Sequence, residues 1–132
     1  MLGGCHIKPE QFFNLIFGYN DIYEARVDTT TTPAGDNRWA PAAVPAGEVW
    51  VITAMQGYNL TTATGVLHCG KYDGTLQYIV KFTLYYTPTR IIDWSGVLVL
   101  HEGDYPYIMF GSCALNDRRV GHIVGYKMKL SQ

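Results

Sequence analysis

The sequence predicts one all-β domain, a jelly-roll or Ig-like sandwich of about seven or eight antiparallel strands carrying a short N-terminal arm. Three observations predict it. From residue 21 onward side chains alternate with a period of two, the period of a strand. Turn residues recur at short intervals between these runs. No later stretch keeps a helical period, and 132 residues suffice for one good core but not two. The expected division is an arm or short helix over residues 1–20 and a sandwich over 21–132.

The arm differs from the rest. Pro9 suits the first turn of a short helix that Gly18 can stop. Phe12, Phe13, Leu15, Ile16 and Phe17 cover more than one face of it, so it needs something to pack against. The reading is either a plug over one end of the sandwich or an arm that docks on a neighbouring subunit. Those five residues are the candidate partner-binding residues.

Ile22, Glu24, Arg26 and Asp28 alternate with Tyr23, Ala25 and Val27 as the first strand. Residues 29–37 read as a polar surface loop, because Thr, Pro, Gly, Asp and Asn crowd it. Trp39 to Pro45 fits an extended crossover or a sheet edge. Pro45-Ala46-Gly47 is a turn launching a central strand over 48–55, rich in β-branched and aromatic residues. A shorter strand over 65–71 is followed by Asp73-Gly74, the strongest short hairpin signal in the chain, and a return strand over 76–87. The run 94–100 carries Gly96 as a candidate bulge. His101 to Asp104 turns the chain, 105–115 is the next strand, 116–119 the next turn and 120–130 the last strand.

Composition points outward, to partners. Charged residues make up 16% of the chain, against about 25% in an ordinary domain. Ten Tyr and three Trp lie outside the one short helix expected, and interfaces favour Tyr and Trp. The expectation is a homo-oligomer, dimer or trimer, with much of its surface covered. The net charge of −1 is scattered and no basic stripe exists to neutralise phosphates, which argues against nucleic acid and anionic membranes. No apolar run approaches the ~18 residues of a membrane-spanning helix. Leu2-Gly3-Gly4-Cys5 looks superficially like a lipoprotein cleavage box but has neither a basic nor an apolar run before it, so no export signal is expected. Three cysteines leave at least one thiol unpaired, which suits assembly inside a cell. Cys69 and Cys113 are either bridged or buried free thiols.

No catalytic or metal motif emerges, and no enzyme activity or cofactor is expected. The histidines His6, His68, His101 and His122 lack the two-apart spacing that aims two ligands at one ion, and read as ordinary surface or hairpin residues. His68 and Cys69 are adjacent and so face opposite sides of a strand. Carboxylates sit mostly in turns, where Asp serves the backbone.

Residues Pro45 to Ile52 and Leu98 to Asp104 resemble a pattern in small tailed-bacteriophage virion proteins: a Pro-Ala-Gly strand opening and a Glu-Gly-Asp turn before a late strand. The similarity covers about residues 45–130. It implies a virion structural protein, foremost a head decoration (cement) protein that binds and stabilises the shell, assembled in a host cytoplasm. The alternative is a tail-fibre or lectin-like adhesin module, in which Trp39, Trp94, Tyr105 and Tyr107 stack on glycans.

Overall fold

The computed structural model describes residues 19–62, 66–84 and 91–130. They form eight strands: β1 (Tyr19–Thr29), β2 (Gly35–Trp39), β3 (Glu48–Asn59), β4 (Val66–Tyr72), β5 (Gln77–Leu84), β6 (Ile91–Leu100), β7 (Tyr105–Cys113) and β8 (Arg119–Lys129). The N-terminal candidates Phe12, Phe13, Leu15, Ile16 and Phe17 lie outside the described residues.

Two four-stranded sheets are stacked, one in the order β1-β8-β3-β6, the other β2-β7-β4-β5. Every neighbouring pair is antiparallel. Each early strand pairs with its counterpart from the far end: β1 with β8, β2 with β7, β3 with β6, β4 with β5. One long hairpin is thus rolled on itself so that successive layers alternate between sheets. That is a jelly roll, which decides between the two sandwich types expected.

Alternation selects the core. Trp50, Ile52, Met55, Leu98, Leu100 and Ile123 face inward from the first sheet, and Leu67, Cys69, Ile108 and Phe110 from the second. The Asp-Gly hairpin forms as expected: Asp73 Oδ1 accepts the N–H groups of Thr75 and Leu76, and Gly74 takes φ 98°. Gly96 also behaves as expected. Between the pairs Ile52–Leu98 and Ala54–Ser95, Gly96 and Val97 oppose Thr53 alone, a two-against-one bulge.

The polar loop expected over 29–37 is shorter than its composition suggests. Gly35 to Trp39 pairs with β7 as an edge strand, where polar side chains on the solvent side cost nothing. β3 likewise runs beyond Met55 to Asn59, because Gly57 and Asn59 face inward while Gln56 faces out.

The two segments carrying the phage resemblance meet. Glu48 N–H donates to the Pro45 carbonyl with Gly47 at φ 81°, and Asp104 N–H to His101 O with Gly103 at φ 88°. Both turns therefore require the left-handed conformation that glycine adopts freely. Val44 joins them, donating to Asp104 O and accepting from Gly103 N–H, each at 2.9 Å.

Candidate interaction surface

With the core filled, function falls to the sheet faces. The outer face of β2-β7-β4-β5 is aromatic. Tyr72 and Tyr105 face each other across strands with ring centres 6.1 Å apart. The Arg38 guanidinium lies 3.9 Å over the Tyr72 ring and donates to Gln77 Oε1 at 2.8 Å. His68 packs on Phe82 and meets the Tyr107 hydroxyl through Nδ1 at 2.9 Å. Arg38 and His68 Nδ1 thus find their partners within the chain.

His68 corrects an expectation, since it is no surface residue: it retains 8% of its exposure. Burial, helped by Arg38, holds its imidazole below the ordinary histidine pKa. A lowered folded-state pKa means that the unfolded chain takes up the proton first. The stability His68 contributes is therefore whole above about pH 6.5, its unfolded value, and erodes as the pH falls toward the folded one. Melting followed from pH 7 to 5 should fall less in a His68→Gln protein than in wild type. Equal slopes would remove His68 from the acid response.

The aromatic residues considered for glycan stacking are mostly committed elsewhere. Tyr107 is fully buried, and Trp39 and Trp94 pack against the core. Only Tyr105 is half-exposed on the aromatic face. Cys69 and Cys113 are both buried and free, and burial pushes the Cys69 thiol up to about 12. Among the described residues no three His, Cys, Asp or Glu side chains could hold a metal ion together, and no helix is long and apolar enough to cross a membrane.

The outer face of β1-β8-β3-β6 is mixed. One row crosses all four strands: Arg26 opposite His122, His122 opposite Gln56, Gln56 opposite Asp93. Glu24 sits beside it, 3.0 Å from His122 Nε2 and 3.4 Å from Arg26. A shallow hollow of about 360 Å³ lies along this row, lined in part by Arg26, Gln56, Tyr58, Val120 and His122. Apolar side chains stand at the margins: Ile22 on β1, Val97 and Val99 on β6, all exposed. Sequence alternation places each of these on the outer face, but only the strand order aligns them in a row.

At the far end of the sandwich sits a buried polar knot centred on Asp117, which is 1% exposed. Its carboxylate accepts from Asn59 Nδ2 at 2.8 Å, Thr62 Oγ1 at 2.7 Å and the Ala114 N–H at 2.7 Å. Its carbonyl accepts from the Thr32 hydroxyl.

No family model matches the chain, and no curated protein matches it in sequence. Among solved structures it is similar to a chain in the acid-stable capsid of Helicobacter pylori bacteriophage KHP30, with 10% identity and a TM-score of 0.54 over 86% of this chain and 96% of that one. What is shared at that identity is the fold. Two weaker likenesses are the Drosophila NLP core (16% identity, TM-score 0.38, 83% of this chain and 100% of that one) and the pilus of Bacillus endospore appendages (13%, 0.40, 86% and 94%). At those TM-scores neither carries an argument.

Proposed function

We propose that this chain is a structural subunit of a bacteriophage particle, of the head decoration type, which binds the shell and stabilises it. The observation that carries the reading is the jelly roll it has in common with a chain of a phage capsid along nearly its whole length. Two features support it: the Pro-Ala-Gly and Glu-Gly-Asp turns hydrogen-bonded together through Val44, and a charge-poor surface with Ile22, Leu76 and Val97 each more than 70% exposed. In this reading Phe12, Phe13, Leu15, Ile16 and Phe17 dock on a neighbouring shell or decoration subunit, burying about 1.5–3 kcal/mol of transfer energy each.

Antibody raised to the purified chain and applied to phage particles from the source lysate tests the assignment. Dense gold labelling over heads is expected. Label confined to tail tips, or no labelled particle, overturns it, and the tail-tip pattern favours the adhesin alternative. A chain lacking residues 1–18 should keep its β circular dichroism and fail to bind heads. If it binds as well as the full chain, the arm has no docking role.

A further inference from the structure

We infer that the outer face of β1-β8-β3-β6 is a contact between two copies of this chain, related by a twofold axis running parallel to the strands between β8 and β3. The inference deepens the reading of the chain as a subunit of an assembly and rests on it.

Charge and strand order suit this face to such a contact. An isologous contact sets residue i against residue j and, by symmetry, j against i. A twofold axis along the strands, lying between two stacked sheets, reverses the strand order and leaves each cross-strand row on its own level. β1 of one copy then lies over β6 of the other, and β8 over β3. The row Arg26–His122–Gln56–Asp93 is built to survive that reversal. Arg26 meets Asp93 at both ends, and His122 meets Gln56 twice in the middle. One level away, Glu24 meets Ser95, the partner of Ala54, in a contact without like charges. At the level of Ile22, the exposed Ile22 meets the exposed Val99 and its neighbour Val97. On the other side, Val120 meets Tyr58, and Asp28 is already neutralised by Arg118 at 2.8 Å.

The reach is adequate. Sheets stack about 10 Å apart, a gap that an Arg and an Asp side chain span together. The arrangement makes the strands of the two sheets roughly aligned, the packing that twisted sheets adopt at about 30°. Arg26 is free to extend, its side chain being 71% exposed and its link to Glu24 a loose 3.4 Å. Four strands about 4.8 Å apart and some 25 Å long give a footprint of about 500 Å² per copy, so about 1,000 Å² in all. That is the lower bound of a specific interface and predicts a weak contact alone, of the kind repeated in a larger assembly. The aromatic face differs, because its Arg38 guanidinium is already engaged by Tyr72 and Gln77.

Charge reversal tests the contact on the full chain. Sedimentation equilibrium should show wild type dimerising reversibly, more weakly in 1 M than in 0.1 M NaCl. Arg26→Asp and Asp93→Arg should each weaken dimerisation at least tenfold, and the double variant should return to within about threefold of wild type. Within one chain these residues lie three strands apart, about 14 Å, so rescue can only come from pairing across copies. Circular dichroism and melting of all three variants should match wild type. A wild type that stays monomeric at 200 µM, single reversals without effect, or a double variant as weak as either single would each overturn the inference. Dimers with rescue but no labelled particles leave this contact standing and sink the virion reading. Labelled heads with silent reversals do the opposite.

Discussion

An Asp117→Ala protein is expected to lose about 3 kcal/mol of stability, the cost of stranding several donors in a buried site. Asn59, Thr62 and the Ala114 N–H all aim at the carboxylate oxygens, and a methyl group can receive none of them. For a domain of this size the loss corresponds to a melting point lower by about 10 °C. Asn should restore part of it, because its Oδ1 can accept from Asn59 and Ala114 while its Nδ2 donates to the Thr62 hydroxyl, which accepts as well as donates. The pH dependence follows. Burial pushes the Asp117 carboxyl upward, but the hydrogen bonds from Asn59, Thr62 and Ala114 together outweigh it and hold the pKa below the ordinary aspartate range. Stability from this group is therefore present above the unfolded value, about pH 3.9, and is lost as the pH drops through the lower folded value. Urea unfolding at pH 7 and pH 3 checks both parts. The Ala variant should show less acid sensitivity than wild type. A variant melting within about 2 °C of wild type would show that the knot contributes little.

Gly125→Ala should be as damaging by a different route. Gly125 faces inward on β8, opposite Tyr23 on one side and Ile52 on the other. At Thr53 the ladder between β3 and β8 skips a residue, and the backbone of β3 swings close to Gly125. A Cβ there would penetrate the Val51 carbonyl oxygen and lie 2.9 Å from Ile52 Cα. The obstruction is backbone, and β8 is paired on both edges, so neither strand can yield without breaking a ladder. Overpacking of this kind costs about 3 kcal/mol or more. Gly121→Ala provides the contrast, since its Cβ would meet the Trp39 ring at 2.7 Å and the Val27 side chain, groups that can tilt. Chemical denaturation of both proteins should rank Gly125→Ala well below Gly121→Ala. Equal stabilities would mean that the β3 backbone moves aside freely.

Much of this fold was legible in the residues because local chemistry and fold agree there. Glu48 to Met55 is β-branched and aromatic and lies in the middle of a sheet. Asp73-Gly74 makes the hairpin, and Gly96 the bulge. What stayed hidden depends on neighbours far away in sequence. Gly35 to Trp39 looks like loop because an edge strand with one apolar anchor, Trp39, has too little pattern to show. Asp117 looks like one more turn aspartate; its partners Asn59 and Thr62 are 58 and 55 residues away. Alternation puts Arg26 and Asp93 on outer faces, yet only the order β1-β8-β3-β6 puts them on one level. His68 gave no signal of burial, since the Tyr107 hydroxyl that satisfies it is 39 residues on.

The position of β8 governs when this molecule can exist. It is made after β1, β3 and β6, yet lies between β1 and β3 and touches both along its length. On a growing chain, β1 has no partner until residues 119–129 have been synthesised, and β3 has only β6. The β4–β5 hairpin is the piece of closest sequence neighbours and can form early. The outermost pair, closed across the longest stretch of chain, must come late. A nascent chain therefore cannot present Arg26 and Asp93 on one rigid level, and unfinished copies have no twofold contact to make. Association is deferred until each subunit is whole, which keeps half-folded copies from joining one another.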